Sequence, residues 1–335
     1  MMRSGQTCAV RLPLFSKLFV HPMGVKERGG TMTGQVIDVV IAGGGPAGLS
    51  AALVLGRSLR SVMLIDEGKP RNAVTRRSHG FLTRDGTEPE QLRMLGREEL
   101  RRYGTVDLRH DTIVSVERVA EGYFRSYTKE GLKLTSRMLV FATGMKERLP
   151  DWPGLADVYG RSVFPCPYCD GWELRDAPLA LLGNCDNNLL GHIQLIRTWS
   201  RDLVVCTDGP ASLNDEERGQ LRERGIALYE QPIAALASSD GQLAHIALED
   251  GLCIARSGAF IADTGAHEAT DIPRLLGVGL ERRGVYETGN HGLTRIPGLY
   301  IIGDAKHAFT GVAGAVSEGY EAGVAINHAL AIEDW

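Results

Sequence analysis

Apolar and polar positions divide the first ordered-looking stretch into strand, turn, helix and strand. Val36, Ile37, Val39, Val40 and Ile41 form a short β-rich run, and Leu49–Leu55 is a helix-forming apolar segment. Ser61–Ile65 is apolar again and ends in two acids. Leu92, Leu95, Glu99 and Leu100 stand at helical spacing within Pro89–Tyr103. Ile113, Val114 and Val116 predict a strand over Asp111–Arg118. Tyr123–Tyr127 and Leu132–Leu134 predict a small antiparallel layer, and Met138–Phe141 a buried strand.

The pattern restarts beyond the region 145–165, which carries Pro150, Pro153 and Gly154. Ala177–Leu182 reads as a strand, Leu190, Ile193, Leu195 and Ile196 as a helix face, and Asp202–Thr207 as a strand. Glu216–Gly225 is a charged, solvated helix. Gly258–Gly265 is expected to return the chain to the first layer. Gly298–Ala305 reads as strand and turn, and from Gly311 a helix is expected to carry Val312, Val316, Tyr320 and Val324 on its packing face. Strands alternating with helices predict an α/β fold of two Rossmann-like, three-layer domains, the second inserted in the first. The expected boundaries are an N-terminal extension over 1–35, the first domain over 36–149 and 257–335, and the inserted domain over 150–256, with a hinge near 147–153.

At 335 residues two domains are the ordinary expectation. The 37 basic and 41 acidic residues leave a net charge of -4, which gives a nucleic acid or a membrane surface no electrostatic hold. No apolar run approaches the roughly 20 residues of a membrane span. Residues 1–34 are different in kind: Arg3, Arg11, Lys17, Lys26 and Arg28 face the single acid Glu27. A disordered tail, or Met32 as the true start, is preferred here to a targeting peptide. Six cysteines in so long a chain do not make a disulfide scaffold, so a reducing, cytoplasmic setting is expected.

Two motifs carry chemistry. In Gly43-Gly44-Gly45-Pro46-Ala47-Gly48, Gly43 permits a tight turn, Gly45 lets backbone N–H groups approach a pyrophosphate, and Gly48 lets helix and strand pack closely. Asp66 and Glu67 stand near the offset at which a carboxylate bonds a ribose hydroxyl. The second motif is Cys166-Pro167-Tyr168-Cys169-Asp170: two thiols able to close a disulfide, with an acid beside them. Half of a zinc site is the alternative, but Cys8, Cys185, Cys206 and Cys253 offer no second close pair. Asp170 is a candidate acid/base and His79 a loop residue within reach of substrate or cofactor.

The early glycine motif, the Ala142-Thr143-Gly144 turn ahead of the CxxC pair, and the later Gly303-Asp304 strand end together resemble the low-molecular-weight thioredoxin reductases, over residues 36 to about 330. The resemblance implies FAD bound by Gly43, Gly45, Pro46, Ala47, Gly48, Asp66, Glu67, Asn72, His79, Ile113, Thr143, Gly144, Gly303, Asp304, Gly311, Val312 and Ala313. It implies that Cys169 faces the flavin and Cys166 exchanges with substrate, a small dithiol/disulfide or a thioredoxin-like protein, in a homodimer. The second nucleotide fingerprint is degraded. Cys185 and Asn188 replace its small residues, and Asp208 stands where that family grips the 2′-phosphate of NADPH with basic residues, so NADPH use is doubtful. In this, and in the His79-Gly80-Phe81 and Cys166–Glu173 runs, the chain resembles the NADPH-independent dithiol oxidases of gliotoxin and holomycin pathways. It departs from them at Asp170, where they often carry His.

Overall fold

The computed structural model describes residues 36–119, 122–185, 188–281 and 284–335; the N-terminal expectations lie outside them. The described residues form one compact unit. Its first sheet begins with β1 (Val36–Ala42), β2 (Val62–Asp66) and β3 (Val106–His110), continues through β4 (Ile113–Arg118), β5 (Phe124–Thr128) and β6 (Lys133–Phe141), and is completed by a late strand, Leu299–Ile301. The order is β3-β2-β1-β6-β5-β4, with the late strand also on β6. β3, β2, β1, β6 and the late strand run parallel, while β4 and β5 form the antiparallel layer. Ala42 pairs with both Ile65 and Phe141, and Phe141 with Ile301, so four strands end level. The sheet order reverses between β1 and β6, and the carboxyl ends at such a switch point are where open α/β sheets bind ligands.

The chain leaves this sheet through β7 (Met145–Lys146) and builds a second, wholly parallel one from β8 (Val163–Phe164), β9 (Leu179–Leu182), β10 (Leu203–Cys206) and β11 (Ala227–Tyr229). A three-stranded antiparallel layer follows: β12 (Ile233–Ser239), β13 (Gln242–Leu248) and β14 (Cys253–Ala255). β15 (Gly258–Ile261) corrects the sequence reading. It does not return to the first sheet but lies inside the second, between β9 and β8. The return is made by β16 (His267–Glu268), antiparallel to β7, so outward and homeward crossings form one two-stranded ribbon. The late strand Leu299–Ile301 is β17. The second sheet therefore extends beyond the expected boundary at 256, because the apolar run Gly258–Ile261 finds two fully buried neighbours there.

Two helix faces also differ from expectation. Helix α1 (Pro46–Arg57) packs along the C-terminal helix Gly311–Glu333. The latter buries Ala315, Gly319, Ala322, Gly323, Ile326 and Leu330, leaving Tyr320 and Val324 exposed. Close approach decides this: a Cβ on Gly319 would overlap the Ala47 carbonyl, and one on Gly323 would lie 2.9 Å from Val54 Cβ. Backbones this near admit only small residues, so the larger ones turn outward. Helix α2 (Pro89–Leu100) buries Pro89, Arg93 and Leu100 rather than Leu95, which is exposed, and Glu99 is exposed as well.

Candidate active site

The level strand ends floor a cavity of about 370 Å³. On one side Gly43 turns sharply with φ +107°, where a Cβ would overlap the Ala142 carbonyl. Gly48 meets the Gly43 carbonyl, so helix and strand touch as the motif predicts, but Gly48 itself is not on the wall. A Cβ on Gly45 would meet no protein atom within 4 Å. Proline at the first helical position leaves α1 with its early N–H groups beside that open space.

Of the residues expected to hold flavin, Gly43, Gly45, Pro46, Ala47, Asp66, Glu67, Asn72, His79, Ile113, Thr143, Gly144, Gly303, Asp304, Gly311 and Val312 all line this cavity. Ala313 does not: it is exposed, and Ala315 takes its place on the wall. Residue 313 is turned away because successive helical positions rotate by about 100°. Asp66 is already committed. Its Oδ1 accepts from the Gly44 N–H at 3.1 Å and its Oδ2 from Arg97 at 2.7 Å, while Glu67, the next carboxylate along, accepts from Lys69 through Oε1. Asp304 is committed too, accepting from Arg71 at 2.8 Å and from the Thr310 N–H and hydroxyl at 3.0 Å.

The thiol pair opens onto the same cavity, brought there from the second sheet by β8 and the short helix α3 (Pro167–Asp170). Tyr168 sets its ring edge-on to Trp199, with centroids 5.5 Å apart, and Gly171 leaves no room for a side chain against Trp199. Cys169 Sγ donates to Cys166 Sγ at 3.1 Å. Disulfide closure to about 2.05 Å therefore needs only about 1 Å of movement. That hydrogen bond, with backbone N–H groups of Cys169 and Tyr168 and the nearby Arg71 charge, brings the Cys166 thiol down to about 7. The same bond, then burial, pushes the Cys169 thiol far up. One sulfur is thus the thiolate and the other the thiol that steadies it. Burial raises the Asp170 carboxyl to about 7, with help from the charges of Cys166 and Glu173.

Arg71 ties the wall together. It donates to Glu147 at 2.6 Å, Asp304 at 2.8 Å and the Ala308 carbonyl at 2.5 Å, and it lies over the Phe309 ring. His79 stands on the wall 3.6 Å from both Asp85 and Glu173.

Members of one family match this arrangement along almost the whole described chain: the pyridine nucleotide-disulphide oxidoreductase profile covers residues 37–319. The chain belongs to that family. A Bacillus anthracis protein assigned as thioredoxin reductase TrxB has 34% identity and a TM-score of 0.85, covering 89% of this chain and 100% of its own. The structure of HlmI has 35% identity and a TM-score of 0.85, covering 91% and 96%. Thioredoxin reductase sirT of Leptosphaeria maculans is 30% identical over 316 residues, 88% of this chain and 94% of that one.

The chain is therefore a thioredoxin reductase-like oxidoreductase of a flavin-binding family, and its cavity fits FAD on its own evidence. Thr143 Oγ1, Ser78 Oγ, Glu147 Oε2 and two nitrogens of Arg93 are buried without a hydrogen-bond partner, and all five atoms belong to wall residues. Buried polar atoms seek partners, and a dinucleotide brings hydroxyls, amides and phosphates. Sequence reasoning missed Ser78, Glu147 and Arg93, since none belongs to a motif; only the polar interruption of α2's buried face at Arg93 hinted at it.

The second sheet has its own would-be cradle at Gly183, after β9. There the Trp152 indole lies 3.4 Å from where a Gly183 Cβ would stand. Trp152 Nε1 donates to Asp208 at 2.8 Å, and the Ile233 N–H donates to the other Asp208 oxygen at 2.7 Å. Cys185 Sγ lies 3.2 Å from His192 Nδ1 on helix α4 (Leu189–Ile196). Among the described residues no helix is long and apolar enough to cross a membrane.

Proposed function

We propose that this protein is an FAD-dependent thiol–disulfide oxidoreductase that oxidises a dithiol through the Cys166–Cys169 pair and does not use NADPH. The observation that carries the reading is that both sulfurs and Asp170 open onto the cavity built by the glycine cradle. Bound FAD supplies a two-electron acceptor beside the sulfurs. In the oxidised pair, a substrate thiolate attacks Cys166 and the Cys166–Cys169 bond breaks, its electrons passing to Cys169. The second substrate sulfur then displaces Cys166, so the substrate leaves as a disulfide and the protein holds a dithiol. Two substrate protons are released in this exchange. Cys169, whose thiol is held protonated, keeps one. Asp170, poised near neutrality, takes the other while Cys166 remains thiolate. Exposed Tyr168 and Trp172 offer aromatic surface beside the pair to a small dithiol or a thioredoxin-like protein.

Independence of NADPH rests on Asp208. Its carboxylate, fixed by Trp152 and Ile233, puts a negative charge where related enzymes place basic residues for the 2′-phosphate. Cys185 adds a side chain where the fingerprint has glycine. On the resemblance the working form is a homodimer, and the cysteine usage supports a reducing, cytoplasmic setting. The alternative is an NADPH-dependent thioredoxin reductase. Oxidised protein mixed without oxygen with NADPH, NADH or dithiothreitol separates the two. The expected result is loss of flavin absorbance near 450 nm with the dithiol alone and recovery in air; rapid bleaching by NADPH refutes the reading.

A further inference from the structure

Arg93 is a buried cation that the electron-transfer chemistry does not use. Its residue is 8% exposed, in the second turn of α2, on the cavity wall. A cation near a helix N-terminus opposes the dipole, and a buried one costs desolvation, so the position needs a compensating anion. Glu90, one turn earlier, meets only Nη2. Nε and Nη1 are buried with no acceptor. Gly96 explains how the guanidinium gets there: a Cβ on it would stand 3.1 Å from Leu49 Cδ1, so glycine lets α2 lie close on α1, and Arg93 comes within electrostatic reach of Asp66 on the same cavity wall, where the Arg97 cation opposes it.

The other cations on the wall are engaged or exposed. Arg71 is shared among Glu147, Asp304 and the Ala308 carbonyl. Lys69 is exposed and paired with Glu67. Arg77 and Lys146 are exposed. Among the described residues, Arg93 is the buried wall cation with donors to spare. A charged guanidinium with N–H donors to spare on Nε and Nη1 matches phosphate oxygens, whereas backbone amides at the glycine cradle bring only partial charge.

We propose that Arg93 recognises the diphosphate of the dinucleotide in the Gly43–Ala47 cradle and sets the preference for FAD over flavins without a diphosphate. The proposal rests on the cavity being the FAD site. The full chain is stripped of flavin, and binding of FAD, ADP and riboflavin is followed by fluorescence for the wild type and Arg93→Met. Losing a charge-assisted contact weakens FAD and ADP about ten- to a hundredfold. Riboflavin, which has no phosphate, stays within about twofold. FAD affinity unchanged in Arg93→Met, or riboflavin weakened in parallel, overturns the proposal.

Should Arg93→Met not fold, Glu90→Gln tests the same contact from an exposed site. Releasing the guanidinium from its carboxylate tightens FAD and ADP at least twofold and leaves riboflavin alone. Equal or weaker FAD binding in Glu90→Gln counts against the proposal. Wild-type chain that binds neither FAD nor riboflavin sinks the assignment of the cavity itself, whereas wild-type FAD binding with indifferent variants sinks only the role of Arg93.

Discussion

Cys169→Ala isolates the hydrogen bond that makes Cys166 reactive. The thiol of Cys169, 3.1 Å away, is the largest influence bringing Cys166 from 9.0 to about 7. Without it, burial is the largest remaining influence and favours the neutral thiol, with the two backbone N–H groups and Arg71 opposing it. The Cys166 pKa then returns to about 9. At pH 7 the thiolate fraction falls from about one half to about 1%, roughly fifty-fold. A more basic thiolate is the better nucleophile, by about eightfold over two pKa units at a Brønsted slope near 0.45. The net loss in the rate at which Cys166 attacks an added disulfide at pH 7 is therefore about sixfold, and it reverses above about pH 8. The sign is definite: wild-type thiolate, read as absorbance at 240 nm in reduced, flavin-free protein, appears near pH 7, that of Cys169→Ala near pH 9. Cys169→Ser, whose hydroxyl still donates, stays close to wild type at this sulfur but cannot form the disulfide and should not turn over. A Cys166 titration that remains near 7 in Cys169→Ala refutes the assignment of thiol and thiolate.

Asp170 and the glycines make further tests. Burial raises the Asp170 carboxyl, so reduction of the oxidised protein by a dithiol should rise with pH as Asp170 loses its proton and becomes able to accept one, and Asp170→Asn should lose that contribution and slow the step about a hundredfold at pH 7; an unchanged profile removes Asp170 as the base. Gly45→Val and Gly319→Val should separate binding from folding. A Cβ at 45 meets no protein atom within 4 Å, so that variant should keep its melting temperature as apoprotein yet purify colourless, whereas one at 319 overlaps the Ala47 carbonyl and should cost about 1–3 kcal/mol or more of stability, read by thermal melts.

The glycine cradle and the sulfur pair were legible in the chain because each is a local device. Gly43, Gly45 and Gly48 are required by a turn, an approach and a contact within six residues, and Cys166 and Cys169 meet within one helical turn. Strand periodicity likewise marked out β1, β2, β4 and β6, whereas the two-residue strands β7 and β8, which also reach the cavity wall, fell in a region that reads as a connection. What the chain alone left undecided depends on partners far away in sequence. The C-terminal helix exposes Tyr320 and Val324 because Gly319 and Gly323 let it press against α1, more than 260 positions earlier, and no hydrophobic count along the helix reveals that. β15 joins the second sheet because two buried strand edges await it there.

Charge shows the same division. Sequence determined that an acid follows the second thiol and that the acid Asp208 stands just beyond the strand Asp202–Thr207. Only the tertiary structure decided that Asp170 is buried enough to titrate near neutrality, that Asp208 is pinned by Trp152 and Ile233, and that Arg93 faces the cavity with donors to spare. Desolvation and hydrogen-bond satisfaction are sums over neighbours assembled from the whole chain, so a motif can name the chemical groups while their protonation and partners wait on the fold.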